Sequence, residues 1–269
     1  MDPTIIAGVI GAGGSVIAAF IAVIFHQRRK TAESQRAELE AALGKSRQVL
    51  SEVSPYTIKK LIKEVSFDEN GKGEQKQEWH GIKANQRYEN LEIPFRFYVD
   101  GRLSELAEPK GKELDGSSLS VQLICEPSKN SKSNKKELRG RFRILGYCDK
   151  DSDPISFFWL QGFSGAFLLT REEVQNAFEG SGWLTEYSAS SVVVPTESLE
   201  MHISFPITHK EKVIKPSPVA FVGGTHVVNR QETARIIEGF RFVDDRASLL
   251  VKEPIVGMTY AISWMPPPK

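Results

Sequence analysis

Two cysteines in 269 residues, Cys125 and Cys148, are too few for a disulfide framework and fit a reducing compartment. The five histidines are scattered, and no CxxC, HExxH or HxH spacing is present, so no metal centre is expected. Basic residues number 35 against 34 acidic ones, a net charge of +1. That balance leaves no global field to gather nucleic acid, which is not an expected partner. A catalytic constellation is missing as well. Gly162-Phe163-Ser164-Gly165 approaches a nucleophile elbow, but that motif needs glycine where Ala166 stands, and no acid and histidine follow in support. The better reading is a core hairpin. His226 in GGTHVV and the pair Asp244-Asp245 lack a third orienting group and read as turn residues. No cofactor is implied, and the chain is not expected to be an enzyme.

What the sequence does have is one long apolar run. From Ile5 to Phe25 about 21 residues pass without an ionisable side chain, enough helix to span roughly 30 Å of bilayer core. Gly11 and Gly13 begin a dinucleotide fingerprint, but Val16 occupies its third glycine position, and Glu33 lies in a charge run instead of ending a second strand. A cleaved signal peptide would carry its positive charge before the run, whereas here Asp2 precedes it and Arg28, Arg29 and Lys30 follow. The basic flank stays inside, so the expectation is a single-pass anchor in the plasma (inner) membrane, with the N-terminus outside and the bulk of the chain cytoplasmic. Ala7, Gly11, Ser15 and Ala19 recur every four residues along one helical face, and Gly14, Ala18 and Ala22 form a stripe beside it. Such small-residue ladders let two helices approach closely, so a homo-oligomer is expected through that face.

Residues 31–54 are rich in strong helix formers and read as a helical neck. Leu39, Leu43, Ser46, Leu50 and Val53 follow a heptad spacing interrupted by Ser46, so the neck forms either a short coiled coil or an amphipathic helix packed on the rest. Ser54-Pro55 ends it. Residues 55–269 then change to β texture. An Asn70-Gly71 turn separates two strands. Leu91, Ile93, Phe95, Phe97 and Val99 alternate, as do Leu119, Val121 and Leu123. A hairpin centred near Ser131 sets Cys125 opposite Leu138 and not opposite Cys148, which argues against a disulfide between them. PISFFWLQGFSGAFLL reads as strand, Gly turn and strand. Thr170 and Glu173 stand in capping-box spacing for one short helix ending at Gly180. SSVVVP, LEMHISFP, ARIIEGFRFVDD, RASLLVKEP and MTYAISWMPPP read as further short strands, with a sub-domain seam near Pro216. His202 is expected in a strand, facing solvent or a cross-strand partner, and Trp79, Trp159, Trp183 and Trp264 in the core. The fold class is mainly β, a sandwich- or barrel-like head behind the anchor and neck.

One local charge concentration remains. Lys129, Lys132, Lys135 and Lys136 form a basic loop with Arg139, Arg141 and Arg143 behind it, a contact for an anionic surface if the loop is not simply solvated. It carries no interleaved aromatics for base stacking. Taken together, the features predict a membrane-tethered, non-enzymatic sensor or adaptor whose head binds a protein or small ligand. A second reading is a membrane effector of the bacterial defence type, in which clustering of heads assembles the Gly/Ala-rich helices into a bilayer-disrupting oligomer. A membrane-tethered enzyme with an unreadable site is the third.

Overall fold

A computed structural model describes residues 53–99, 105–106, 110–113, 121–126, 136–165, 167, 172, 174, 185–206, 214–223, 225 and 227–265. All of them belong to the unit Ser51–Lys269. The expected anchor, with Ala7, Gly11, Ser15, Ala19, Arg28, Arg29 and Lys30, lies outside the described residues, as does the neck except for Val53 and Ser54. No helix among the described residues is long and apolar enough to cross a membrane.

The described part is mainly β. Its strands are β1 (Tyr56–Phe67), β2 (Gly73–Ala84), β3 (Tyr88–Val99), β4 (Glu105–Leu106), β5 (Lys110–Glu113), β6 (Val121–Glu126) and β7 (Lys136–Cys148). They continue with β8 (Ile155–Ser164), β9 (Glu186–Ser191), β10 (Thr196–Ser204) and β11 (Ile214–Val222). A helix α1 (Arg230–Ile236) precedes β12 (Phe240–Val243), β13 (Arg246–Lys252) and β14 (Met258–Met265). The largest sheet has eight strands and runs β12-β13-β10-β1-β2-β8-β4, with β5 also paired to β8. Two three-stranded sheets, β11-β14-β9 and β3-β7-β6, complete the set. All described pairings are antiparallel except that of β1 with β10.

The first hairpin forms because Asp68 organises its turn. Its carboxylate accepts the Asn70 and Lys72 N–H groups at 2.9 Å each, and Gly71 takes a positive φ of 69° that suits glycine. Register then builds the core. Leu199, Leu61, Trp79 and Phe157 share one row across β10, β1, β2 and β8, and Ile203, Val65, Gln75 and Gln161 share another. All eight of these side chains are buried. Both small sheets cover this same face of the large one. From β3 and β7, Phe95 packs on Trp159 at 4.9 Å and Phe142 on Phe157 at 4.8 Å; from β14, Trp264 stacks on Phe67 at 6.5 Å. The result is two layers around one aromatic core.

PISFFWLQGFSGAFLL begins with the expected strand, β8, which buries Phe157, Trp159, Gln161 and Phe163 and gives way to a turn at Gly165, where φ is 78°. The second strand expected there lies outside the described residues except for Phe167. Two stretches depart from the sequence expectation. SSVVVP is not a strand of its own. β9 closes at Ser191, and Val192–Pro195 carries the chain from the three-stranded to the eight-stranded sheet, burying Val192 and Val194 and exposing Val193. ARIIEG is helix and 3-10 turn, with strand resuming only at Phe240. Asn229 caps that helix by accepting the Glu232 N–H at 3.0 Å, a local bond that outcompetes extended backbone. Pro216 and Pro218 lie within β11, an edge strand with an irregular register between Ile214 and Ser217, where missing N–H groups are tolerated. Of the helix expected from Thr170, only Glu172 and Val174 are described, both helical.

Candidate functional site

Lys63 is the least expected side chain of the core face. It lies between Leu61 and Val65 on β1, only 9% exposed, in a row with Met201 of β10 and Gln77 of β2. Gln75 and Gln161 occupy the next row, also buried. The Lys63 Nζ donates to the Ala189 carbonyl of β9 at 2.6 Å, tying the large sheet to the edge strand of its neighbour. Burial disfavours the charged form and pulls the amine down to about 7. By register this polar stripe lies between the row of Leu61, Trp79 and Phe157 and the row of Phe67 and Phe163, within the one core.

A second polar element joins α1 to β14. The Tyr260 hydroxyl donates to Glu232 at 2.6 Å and accepts the Ile255 N–H at 2.8 Å. Arg235 meets the same carboxylate at 2.7 Å through Nε and also donates to the Lys252 carbonyl at 3.0 Å. Burial, then the Glu232 bond, pushes the Tyr260 phenol well above its ordinary range. Every strong group here is matched to another, which is the signature of a structural clip.

The outer face of the large sheet is a ladder of matched charges. Glu78 holds Lys76 with one oxygen and His80 at 2.6 Å with the other. Burial raises Glu78, but those two hydrogen bonds outweigh it and leave the carboxyl below its usual value. Lys60 pairs with Glu200 at 2.9 Å, Arg246 with Glu64 at 3.3 Å, and His202 meets Ser248 of β13 at 3.0 Å. Burial, followed by the Arg246 charge, lowers His202.

The sheet β3-β7-β6 sets two arginines against one carboxylate. On β7 Gly140, Phe142 and Ile144 are buried, while Arg141 and Arg143 face outward with side chains 41% and 34% exposed. Arg143 sits opposite Glu92 of β3 and grips it, Nε at 2.9 Å and Nη2 at 2.7 Å from one oxygen. Arg141 reaches the other oxygen only at 3.5 Å, and its Nε is buried with no partner. Two residues along β7, Arg139 has its Cα opposite Arg96 on one side and Glu126 on the other.

The sequence-nominated residues are distributed among these elements or fall outside them. Lys129, Lys132 and Lys135 lie outside the described residues, and Lys136 begins β7 opposite Val99. His226 and Trp183 are also outside. Asp244 and Asp245 form the β12–β13 turn, Asp244 at φ 56°, and His202 has the cross-strand partner its position implied. Trp79, Trp159 and Trp264 are core residues. Cys125 pairs in register with Gly140, two residues from the expected Leu138, and Cys148 is a free, buried thiol pushed up by burial and then by Asp149. No group of three or more metal-ligating side chains occurs among the described residues. Sequence reasoning missed Lys63 and Glu92. The signal for Lys63 was a lysine at an inward position of an alternating strand.

No family model matches the chain, and no curated protein matches it in sequence. Among solved structures it is similar to native leukotriene A4 hydrolase from Saccharomyces cerevisiae, at 13% identity over 78% of this chain and 29% of that one, TM-score 0.33. It is similar also to an M1 zinc metallopeptidase from Deinococcus radiodurans, at 8% identity over 77% of this chain and 42% of that one, TM-score 0.31. The chain thus spans less than half the length of either, and at these scores the likeness bears on neither fold nor activity.

Proposed function

We propose that the chain is a single-pass, membrane-anchored, non-enzymatic sensor or adaptor. Its cytoplasmic β-rich head binds a protein or small ligand, and its membrane helix associates with copies of itself. The observation that carries this reading is the uncharged run Ile5–Phe25 followed at once by Arg28, Arg29 and Lys30. The head supports a binding role with two wide polar sheet surfaces, the charged ladder around Glu78 and Glu200 and the arginine surface of β7. A reporter fused after Lys269 tests the placement: it should be active only if it works in the cytoplasm, and activity on the far side of the membrane refutes it. Self-association is tested by crosslinking in membranes. Gly11→Leu should weaken it by blocking close backbone approach, and Val9→Leu should not. Equal crosslinking of both variants and the unmodified chain refutes the ladder.

The second reading, a bilayer-disrupting effector, is favoured by the adjacent small stripe of Gly14, Ala18 and Ala22, which gives the helix two packing faces instead of one. An effector depolarises cells when its heads are clustered; an adaptor leaves their potential unchanged.

A further inference from the structure

We propose that the outward face of β3-β7-β6, centred on Arg141 and Arg143, is a binding site for phosphate groups. The proposal rests on reading the head as a binding module and names the ligand chemistry. Two observations point to an oxyanion. First, Arg141 and Arg143 converge on one carboxylate, Glu92, and Arg143 takes the short bonds while Arg141 is left with a single 3.5 Å contact. A guanidinium has five donors in a fixed fork, so Arg141 retains most of its capacity. Second, the Arg141 Nε is buried without a partner, and an unmet buried N–H is costly unless a ligand satisfies it.

By contrast, three cations on the outer face of the large sheet are individually matched: Lys60, Lys76 and Arg246 each have a carboxylate of their own. The chemistry selected is therefore a phosphate that a planar fork can grip through two oxygens, either on a free phosphate compound or on an anionic lipid headgroup.

Pyrophosphate is the probe, titrated calorimetrically into the full chain in neutral detergent at low salt. The unmodified chain should bind it. Arg141→Gln and Arg143→Gln should each weaken binding by about tenfold, as expected for loss of a charge-assisted hydrogen bond. Arg141→Lys keeps the charge but loses the fork, and should weaken binding nearly as much. Arg241→Gln, on β12, should bind like the unmodified chain. Thermal midpoints of all variants check that folding is intact, and with Arg141 and Arg143 changed singly, a variant that fails to fold leaves the other to decide. The source is separated in nanodiscs. If lipid headgroups occupy the face, discs containing phosphatidylserine should suppress pyrophosphate binding relative to phosphatidylcholine discs; equal binding in both identifies a free phosphate compound. No pyrophosphate binding by the unmodified chain, or equal binding by Arg141→Gln, Arg143→Gln and Arg241→Gln, overturns the proposal. Because the titration in detergent does not depend on membrane orientation, its failure is distinct from failure of the reporter fusion.

Discussion

Replacing Lys63 with methionine should make the protein more stable at neutral pH and less stable at alkaline pH. Lys63 is buried, and its amine is pulled from 10.5 to about 7. The unfolded chain holds this proton up to its ordinary value, while the folded chain releases it above about 7, so between the two the unfolded state binds more protons. Stability therefore rises with pH across that window, and the penalty for burying the charge is fully present below it. At about 1.4 kcal/mol per pH unit, the penalty approaches roughly 4–5 kcal/mol at neutral pH and falls to about 1 kcal/mol near pH 10. Methionine fills a similar volume without charge. It leaves the Ala189 carbonyl without its 2.6 Å donor, a loss of about 1–3 kcal/mol at any pH. The net expectation is a gain of about 2 kcal/mol near pH 7 that vanishes or reverses near pH 10. Chemical denaturation of the full chain in neutral detergent reports it through the emission of the buried Trp79, Trp159 and Trp264. A variant less stable than the unmodified chain at both pH values would refute the reasoning, since Lys63 would then be stabilising in its charged form.

Two further substitutions test the frame. Tyr260→Phe removes the donor to Glu232 and the acceptor for the Ile255 N–H, and should cost about 2 kcal/mol in the same denaturation assay; no change would mean that the α1 clip adds nothing. Gly81→Ala places a Cβ 2.8 Å from the Lys59 Cβ at a φ of +63°, and should cost about 1–3 kcal/mol; a neutral result would mean that the backbone at Gly81 relaxes freely.

Much of the β framework was legible in the residues, because each legible element carries its signal locally. Asn70-Gly71 marks its own turn, and Leu91, Ile93 and Phe95 are buried as their alternation implies. Helix α1 was missed although Asn229 and Glu232 stand three apart, because Ile236 and Ile237 resemble strand residues when the cap is overlooked. The polar stripe was illegible for a different reason. Lys63, Gln75 and Gln161 are far apart in sequence, and only the register of β1, β2 and β8 brings them together. The same holds for Glu92 and Arg143, whose pairing depends on β3 meeting β7. Arg141 and Arg143 could be seen as charges, but an imbalance with neighbouring strands has no expression along one strand.

The parallel pairing of β1 with β10 has a consequence for the order of folding. β1 can zip to β2 as soon as both are made, but its other edge stays open until β10 arrives from much further along the chain. Loop closure over that distance is slow, so this junction belongs to the late events of assembly. Until then the open edge of β1, with Ile58, Leu61 and Val65 uncovered, is a template for pairing with another nascent chain. The interval before β10 docks is when such misassembly competes with folding.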